Sequence, residues 1–258
     1  MPQSTMAGGI ARIIRWTGGA LVVVAILAGG MTGRAMAAEL QVKTADFPPL
    51  TIADPQAARK GLLYDLVMEL LKLQNLPQKI EFADWSQVQK QAAEQPDVIT
   101  FPMTRTAKRE SQYKWLVKLF DMDRAFASLP GRAPFNTAEE AAKAKAIGVL
   151  LNSASLGFLK EKGLNNIVEL PANPELIQAL KEGRIDAIYQ PKPFSTSGWK
   201  AAGGQGALVF GTPIERSAAY IVASPTSPIK AEDWRDTFQV LEQEGTFDKL
   251  VEAYGMKE

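Results

Sequence analysis

The chain has 258 residues, with 29 Lys plus Arg against 28 Asp plus Glu, and neither cysteine nor histidine. Those two absences exclude disulfides, thiol nucleophiles and Ser-His-Asp triads, and they leave zinc without its usual ligands. The near-neutral balance gives no electrostatic reason to expect nucleic acid or anionic lipid as a partner.

The N-terminal stretch has Arg12 and Arg15 ahead of an apolar run from about Ala20 to Ala28, then glycines and the small triplet Ala35-Met36-Ala37. That order is the layout of a secretory signal peptide over residues 1-37, cleaved after Ala37. The competing reading, a membrane anchor, needs about 20 apolar residues, and this run is shorter. Cleavage removes Arg12, Arg15 and Arg34 and no acid, leaving 26 basic against 28 acidic residues, a net charge of −2. Without cysteine the exported chain has no site for a lipid anchor and must be stabilised by core burial. The expected location is therefore the periplasm.

After the signal the pattern alternates. "LQVKTA" reads as a strand and "GLLYDLVMELLKLQ" as a helix, with Leu62, Leu63, Val67, Leu70 and Leu71 at helical spacing. "QKIEFA" is strand-like, Ser86 is placed to cap the next short helix, and "DVITF" is a strand. Thr106 is placed to cap a short helix that carries Arg109 at its third position. Thr137 with Glu140 has capping-box spacing for "TAEEAAKAKA". "AIGVLL" is a strand, Ser153 an N-cap and Gly163 a stop; "NIVEL", a helix from Asn173-Pro174 to Gly183, and the strand "RIDAIY" follow. "AAYIVAS" is strand-like, "AEDWRDTFQVLEQEG" is an amphipathic helix, and Thr246 begins a last helix. "AGGQG" at 202-206 reads as a loop, and no P-loop or GxGxxG follows a strand.

Strands separated by helices predict an α/β architecture with mostly parallel sheets. One series ends near Leu119 and a second runs from about Lys143 to Phe210. A return of strand 218-224 and the terminal helices to the first sheet would make that domain discontinuous.

The segments "DFPPLTI", "GLLYDLVMELL", "IEFADWSQVQKQAAEQPDVITFPMTRTAKRE", "IGVLLNSAS", "LIQALKEGRIDAIY" and "EQEGTFDKLVEAYG" occur in the order of a known family. The chain resembles the extracellular solute-binding proteins of family 3, the polar-amino-acid-binding components of ABC importers. The resemblance implies a type II periplasmic-binding-protein fold with two α/β lobes and a two-segment hinge. Lobe 1 would be residues 38-120 plus 219-258, and lobe 2 residues 121-218. It further implies a monomer that binds a small carboxylate-bearing solute and hands it to an inner-membrane ABC permease, with no catalytic residue, metal or cofactor.

The family's Thr-x-x-x-x-Arg element matches Thr104 and Arg109, implying that Arg109 clamps a ligand carboxylate through its planar fork. Without the resemblance, a surface salt bridge would be the plainer reading of Arg109. Arg105, Lys108 and Lys114 read as solvated charges. Phe47 and Trp85 match positions of aromatic contact with the ligand and would sandwich it, Trp85 being partly exposed beside Asp84 and Ser86. "NSAS" at 152-155 matches the turn that offers Ser153 and the Ala154 backbone to the same carboxylate; an ordinary helix cap is the alternative.

Three positions depart from the family. Pro191 stands where an acid usually holds the ligand ammonium, with neutral Gln190 before it. Pro102 replaces a glycine and Leu150 a lysine. The carboxylate half of the site is kept, and the ammonium half is dismantled or moved to Gln190, Asp46 or a carbonyl. Asp65, Asp97 and Asp186 match acids with structural roles. The runner-up functions are a dehydratase acting on a cyclic carboxylate and a ligand sensor that docks on a receptor.

Overall fold

The computed structural model describes residues 40–254, so the signal segment and its cleavage site lie outside the described residues. The first βαβ unit is β1 (Gln41–Thr44), α1 (Leu62–Leu73) and β2 (Ile80–Phe82), with β1 and β2 parallel. α1 buries Leu62, Leu63, Leu66, Val67, Leu70 and Leu71, the apolar stripe that its spacing predicts. Its start is fixed by Gly61 at φ 109°, where a Cβ would stand 2.3 Å from the Leu50 carbonyl oxygen. Next come α2 (Trp85–Glu94) and β3 (Val98–Thr104), which is buried along its whole length and pairs parallel with β1. The residue at the N-cap of α2 is Asp84, not Ser86, because the helix begins one residue before the expected cap.

β4 (Lys114–Ser128) is the longest strand, at 15 residues, and it is what the sequence pattern misses. It pairs antiparallel with β9 (Glu215–Ala223) from Lys114↔Ala223 to Arg124↔Glu215. It then pairs with β7 (Ala187–Pro191) from Arg124↔Pro191 to Ser128↔Ala187. β3 also pairs antiparallel with β9, with a register shift between Thr100 and Met103 that spans Pro102, which has no N–H to give.

The second half holds α3 (Ala138–Ala141), β5 (Ile147–Leu150), α4 (Ala154–Glu161), β6 (Ile167–Leu170), α5 (Asn173–Lys181), α6 (Lys192–Ala201) and β8 (Val209–Phe210). β5 pairs parallel with β6 and β7. α3 has the predicted cap, with Thr137 Oγ1 accepting from the Glu140 N–H at 3.1 Å, but it stops after one turn. Its continuation "AKAKA" offers little apolar surface to bury, and so short a helix does not hold without packing. α6 is a helix that the sequence pattern does not reveal, with Phe194, Ser195 and Trp199 buried. α7 (Ala231–Gln243) and α8 (Thr246–Ala253) close the chain.

The strands form one mixed path, β2-β1-β3-β9-β4-β7-β5-β6, with β8 on β4. The core is divided. One cluster takes buried residues from Val42 to Met122 and Ala219 to Leu241, together with Leu150 and Phe194. Two smaller clusters lie on residues between Phe126 and Leu208. This is an α/β architecture of two lobes, with the parallel sheet segments at the outer ends and antiparallel β4 and β9 running between. The C-terminus is tied back, as the Tyr254 hydroxyl donates to Asp65 at 2.6 Å and accepts from the Gly61 N–H at 3.1 Å.

Candidate functional site

A cavity of about 50 Å³ lies between the lobes, and Phe47, Trp85, Thr104, Arg109, Ser153, Ala154 and Gln190 all line it. The sequence motifs lie far apart in the chain, and the topology brings them to one place. β3 ends at Thr104, and the one-turn 3-10 helix Ala107–Arg109 aims Arg109 back toward the cleft. The Thr106 backbone has N-cap geometry, yet its side chain makes no capping bond.

Arg109 is buried, at 9% exposure, and has no carboxylate partner among its hydrogen bonds. Nη1 donates to the Thr104 carbonyl at 3.2 Å, and Nη2 donates to the Asn152 carbonyl at 2.8 Å and to Gln89 Oε1. Burial, with a smaller push from the neighbouring Arg124 charge, lowers its pKa to about 10, so it stays cationic at neutral pH. Its charge is therefore met by neutral acceptors only.

Arg105 is exposed, as expected, but neither it nor Lys114 is without partners. Arg105 lies over the rings of Trp115 and Tyr220, at 5.1 and 5.4 Å, and grips Glu110 with two nitrogens. It thereby pins both ends of the turn that carries Arg109. Lys114 Nζ donates to the carbonyls of Ser227 and Ile229. Lys108 is exposed.

The aromatic arrangement also differs from expectation. Phe47 and Trp85 do not stand apart as two plates; they meet edge to face at 5.2 Å, and Trp85 is 5% exposed rather than partly open. Phe47 stacks on Phe194 of α6, at 5.3 Å and 16° between planes. Phe194 carries no motif signal, and it is part of the helix that the sequence pattern does not reveal.

Three of the polar links between the lobes run through Asn152. Asn152, at φ 56°, turns its carbonyl toward Arg109 Nη2 and Gln89 Nε2 (3.1 Å), while its Nδ2 donates to Ser86 Oγ at 3.0 Å. Asn tolerates this left-handed backbone better than most residues do. Ser153 Oγ accepts from the Leu156 N–H at 3.1 Å, so it does cap α4, and its hydroxyl faces the site from a fixed position.

The residue that sequence reasoning overlooks is Arg124. It lines the cavity at 2% exposure, with Nη2 donating to Thr104 Oγ1 at 2.7 Å and Nη1 paired with Glu215 at 3.0 Å. No sequence signal singles it out, since β4 also carries Lys114, Lys118, Asp121 and Asp123. Pro102, Leu150 and Pro191, the three departures, line the same cavity. A second cavity of about 230 Å³ shares Phe47, Trp85 and Leu150 with the first and adds Asp46 and Asp84. Desolvation raises the Asp46 pKa, against a bond from the Ala53 N–H that lowers it.

Asp65, Asp97 and Asp186 each hold a structural bond, from the Tyr254 hydroxyl, the Ser227 hydroxyl and the Lys145 N–H respectively. Among the described residues no group of three or more His, Cys, Asp or Glu is placed to hold a metal. No helix among them is long and apolar enough to cross a membrane.

No family model matches the chain, and no curated protein matches it. Solved structures do. A mutant of ArgBP from T. maritima is 17% identical, over 85% of this chain and 96% of that one, with a TM-score of 0.76. An ABC uptake transporter substrate binding protein from Streptococcus pneumoniae with bound histidine is 14% identical over 83% and 91%, with a TM-score of 0.74. The ancestral amino acid-binding protein AncCDT-1, a precursor of cyclohexadienyl dehydratase, is 21% identical over 84% and 94%, with a TM-score of 0.69. At these identities the likeness speaks for architecture alone: the chain has the two-lobed α/β fold of periplasmic binding proteins.

Proposed function

We propose that this chain is an exported solute-binding protein that captures a small carboxylate-bearing solute in the periplasm and delivers it to an inner-membrane ABC permease. The observation that carries the reading is Arg109: a buried guanidinium between two lobes, held by carbonyls and an amide, with aromatic rings beside it. A carboxylate there would gain a charge-assisted pair with a buried guanidinium. Lobe 1 is proposed as residues 38-120 plus 219-258 and lobe 2 as 121-218, with β4 and β9 supplying the two hinge segments. Ligand that touches both lobes only when they are shut would shift the population toward closure. Solved neighbours that bind amino acids on the same fold make this the more economical reading.

The dehydratase alternative needs an acid in the cleft to protonate a leaving hydroxyl, and the residues lining the Arg109 cavity include no Asp or Glu. Native mass spectrometry of the protein purified from its own periplasm tests the proposal, the expected result being a retained small carboxylate released unchanged. Recovery of a chemically altered compound would favour the enzyme. N-terminal sequencing of the same sample should find Ala38 first; retention of residues 1-37 would remove the export argument. Trp85, against the cavity, should report binding through its fluorescence, and Trp85→Phe should lose most of that signal.

A further inference from the structure

The cavity contains two ionisable side chains, Arg109 and Arg124, and no acid. The carboxylate nearest to hand is Glu215, directly opposite Arg124 on β9, and both its oxygens are engaged. One pairs with Arg124 Nη1 at 3.0 Å, and the other accepts from the Tyr189 hydroxyl at 3.4 Å. Arg124 also donates to Thr104 Oγ1 and Ser217 Oγ, while its buried Nε has no partner. On its other side the facing residue is Pro191, which has neither acid nor N–H to offer.

We propose that Arg124, by holding Glu215 and adding a second fixed cation, makes the cavity select carboxylates that lack an α-amino group, with 2-oxo acids as the preferred class. This rests on the carboxylate reading of Arg109. With the ligand carboxylate on Arg109, a group on the adjacent carbon lies within the same small cavity. An ammonium there meets a second guanidinium and no counter-ion, with only the neutral oxygens of Thr104, Ser153 and Gln190 to stand in for its hydration. An oxo group accepts hydrogen bonds only, and suits walls whose charged groups are both donors. Asp46 and Asp84 are not among the residues lining this cavity; they belong to its neighbour beyond Phe47 and Trp85. They bear on cationic side chains rather than on an α-ammonium, so the probes below have neutral side chains.

The test is calorimetry on the whole exported protein with two matched trios. One is 4-methyl-2-oxopentanoate, leucine and 4-methylpentanoate; the other is phenylpyruvate, phenylalanine and 3-phenylpropanoate. The expected result in at least one trio is an oxo acid bound tenfold or more tighter than its amino acid, with the plain acid between them. An amino acid bound as tightly as its oxo acid overturns the inference and leaves the carboxylate clamp standing. No binding of any of the six at millimolar concentration overturns both. Arg124→Met, which releases Glu215, should move the oxo-to-amino ratio at least tenfold toward the amino acid. Should that variant fail to fold, Glu215→Gln should widen the ratio the other way. An unchanged ratio in a folded variant removes Arg124 from the selection, since a merely structural role would alter stability and not preference.

Discussion

Replacing Arg109 by methionine should separate binding from stability, because the two draw on different terms at this side chain. The guanidinium is held by three neutral acceptors: the carbonyls of Thr104 and Asn152, and Gln89 Oε1. Hydrogen bonds from a charged donor contribute roughly 1.5 to 3 kcal/mol each. Against that stands desolvation, which brings the pKa from its ordinary value to about 10. A drop of that size corresponds to roughly 3 kcal/mol of penalty on the charged form. The penalty offsets most of that gain when the bonds sit at the low end of their range, and methionine fills much of the same volume. The apo melting temperature of Arg109→Met should therefore move by only about 5 °C in either direction.

Ligand binding has no such compensation. A carboxylate drawn into the shut cleft would be left buried and unpaired, at a cost of about 2 to 5 kcal/mol, or roughly 30- to 4000-fold in Kd. The control is Lys108→Met, an exposed cation one residue away, which should cost about 0 to 1 kcal/mol. Calorimetry against the ligand recovered from the periplasm, paired with thermal unfolding of the apo protein, reads both quantities. Unchanged affinity in Arg109→Met would refute the clamp. A melting temperature lowered by more than about 10 °C would show that the side chain is a structural strut, and that the balance of terms above is wrong.

Three further outcomes follow from the same geometry. Gln89→Leu removes an acceptor from Arg109 and a donor to Asn152, so it should cost about 1.5 to 3 kcal/mol, read by urea unfolding, and weaken ligand binding as well. Phe194→Ala deletes the ring stacked on Phe47 and should weaken binding about tenfold, consistent with an aromatic pair worth about 0.5 to 1.5 kcal/mol plus lost burial; calorimetry checks it. With no histidine in the chain and Arg109 protonated until about pH 10, affinity should be flat from pH 6 to 8.5. It should fall as the pH rises toward and past 10, where Arg109 gives up the proton that its charge pair needs. A tenfold change between pH 6 and 8 would assign the anion to another group.

The first lobe was legible because its elements obey local rules. α1 carries its apolar residues at helical spacing and buries them, and the Thr104 to Arg109 segment keeps its motif. The second half of β4 was not, since "DMDRAFAS" places Asp121, Asp123 and Arg124 within a strand. What makes it a strand is pairing on both sides, to β9 and β7, and neither partner is near in sequence. α6 was hidden by composition, because "KPFSTSGWKA" combines Pro, Gly, Ser and Thr, all poor helix formers. It is held as a helix by burying Phe194 and Trp199, a tertiary cause that leaves no periodic trace. The burial of Trp85 was misjudged for a related reason: its polar neighbours Asp84 and Ser86 mark a helix start, and the ring turns inward from it.

What joins these pieces is Thr104, the residue where the first lobe's strand gives way to the Arg109 turn. Its carbonyl accepts from Arg109 and its hydroxyl from Arg124, so two guanidiniums from separate elements are set by one backbone position. Arg124 lies on the strand that runs between the lobes, and its cross-strand partners are Glu215 and Pro191. One of the cavity's two charges is thus built into the strands proposed as the hinge, and the other into the turn that follows β3. Opening about β4 and β9 would part Arg109 from the second lobe's Asn152 carbonyl, which lies 2.8 Å from Nη2, and closing on an anion would re-form that contact while Arg124 keeps Glu215. Anion capture and lobe closure would then be one event. The first cation takes a new partner as the cleft shuts, and the second, already paired, sets which carboxylates are admitted.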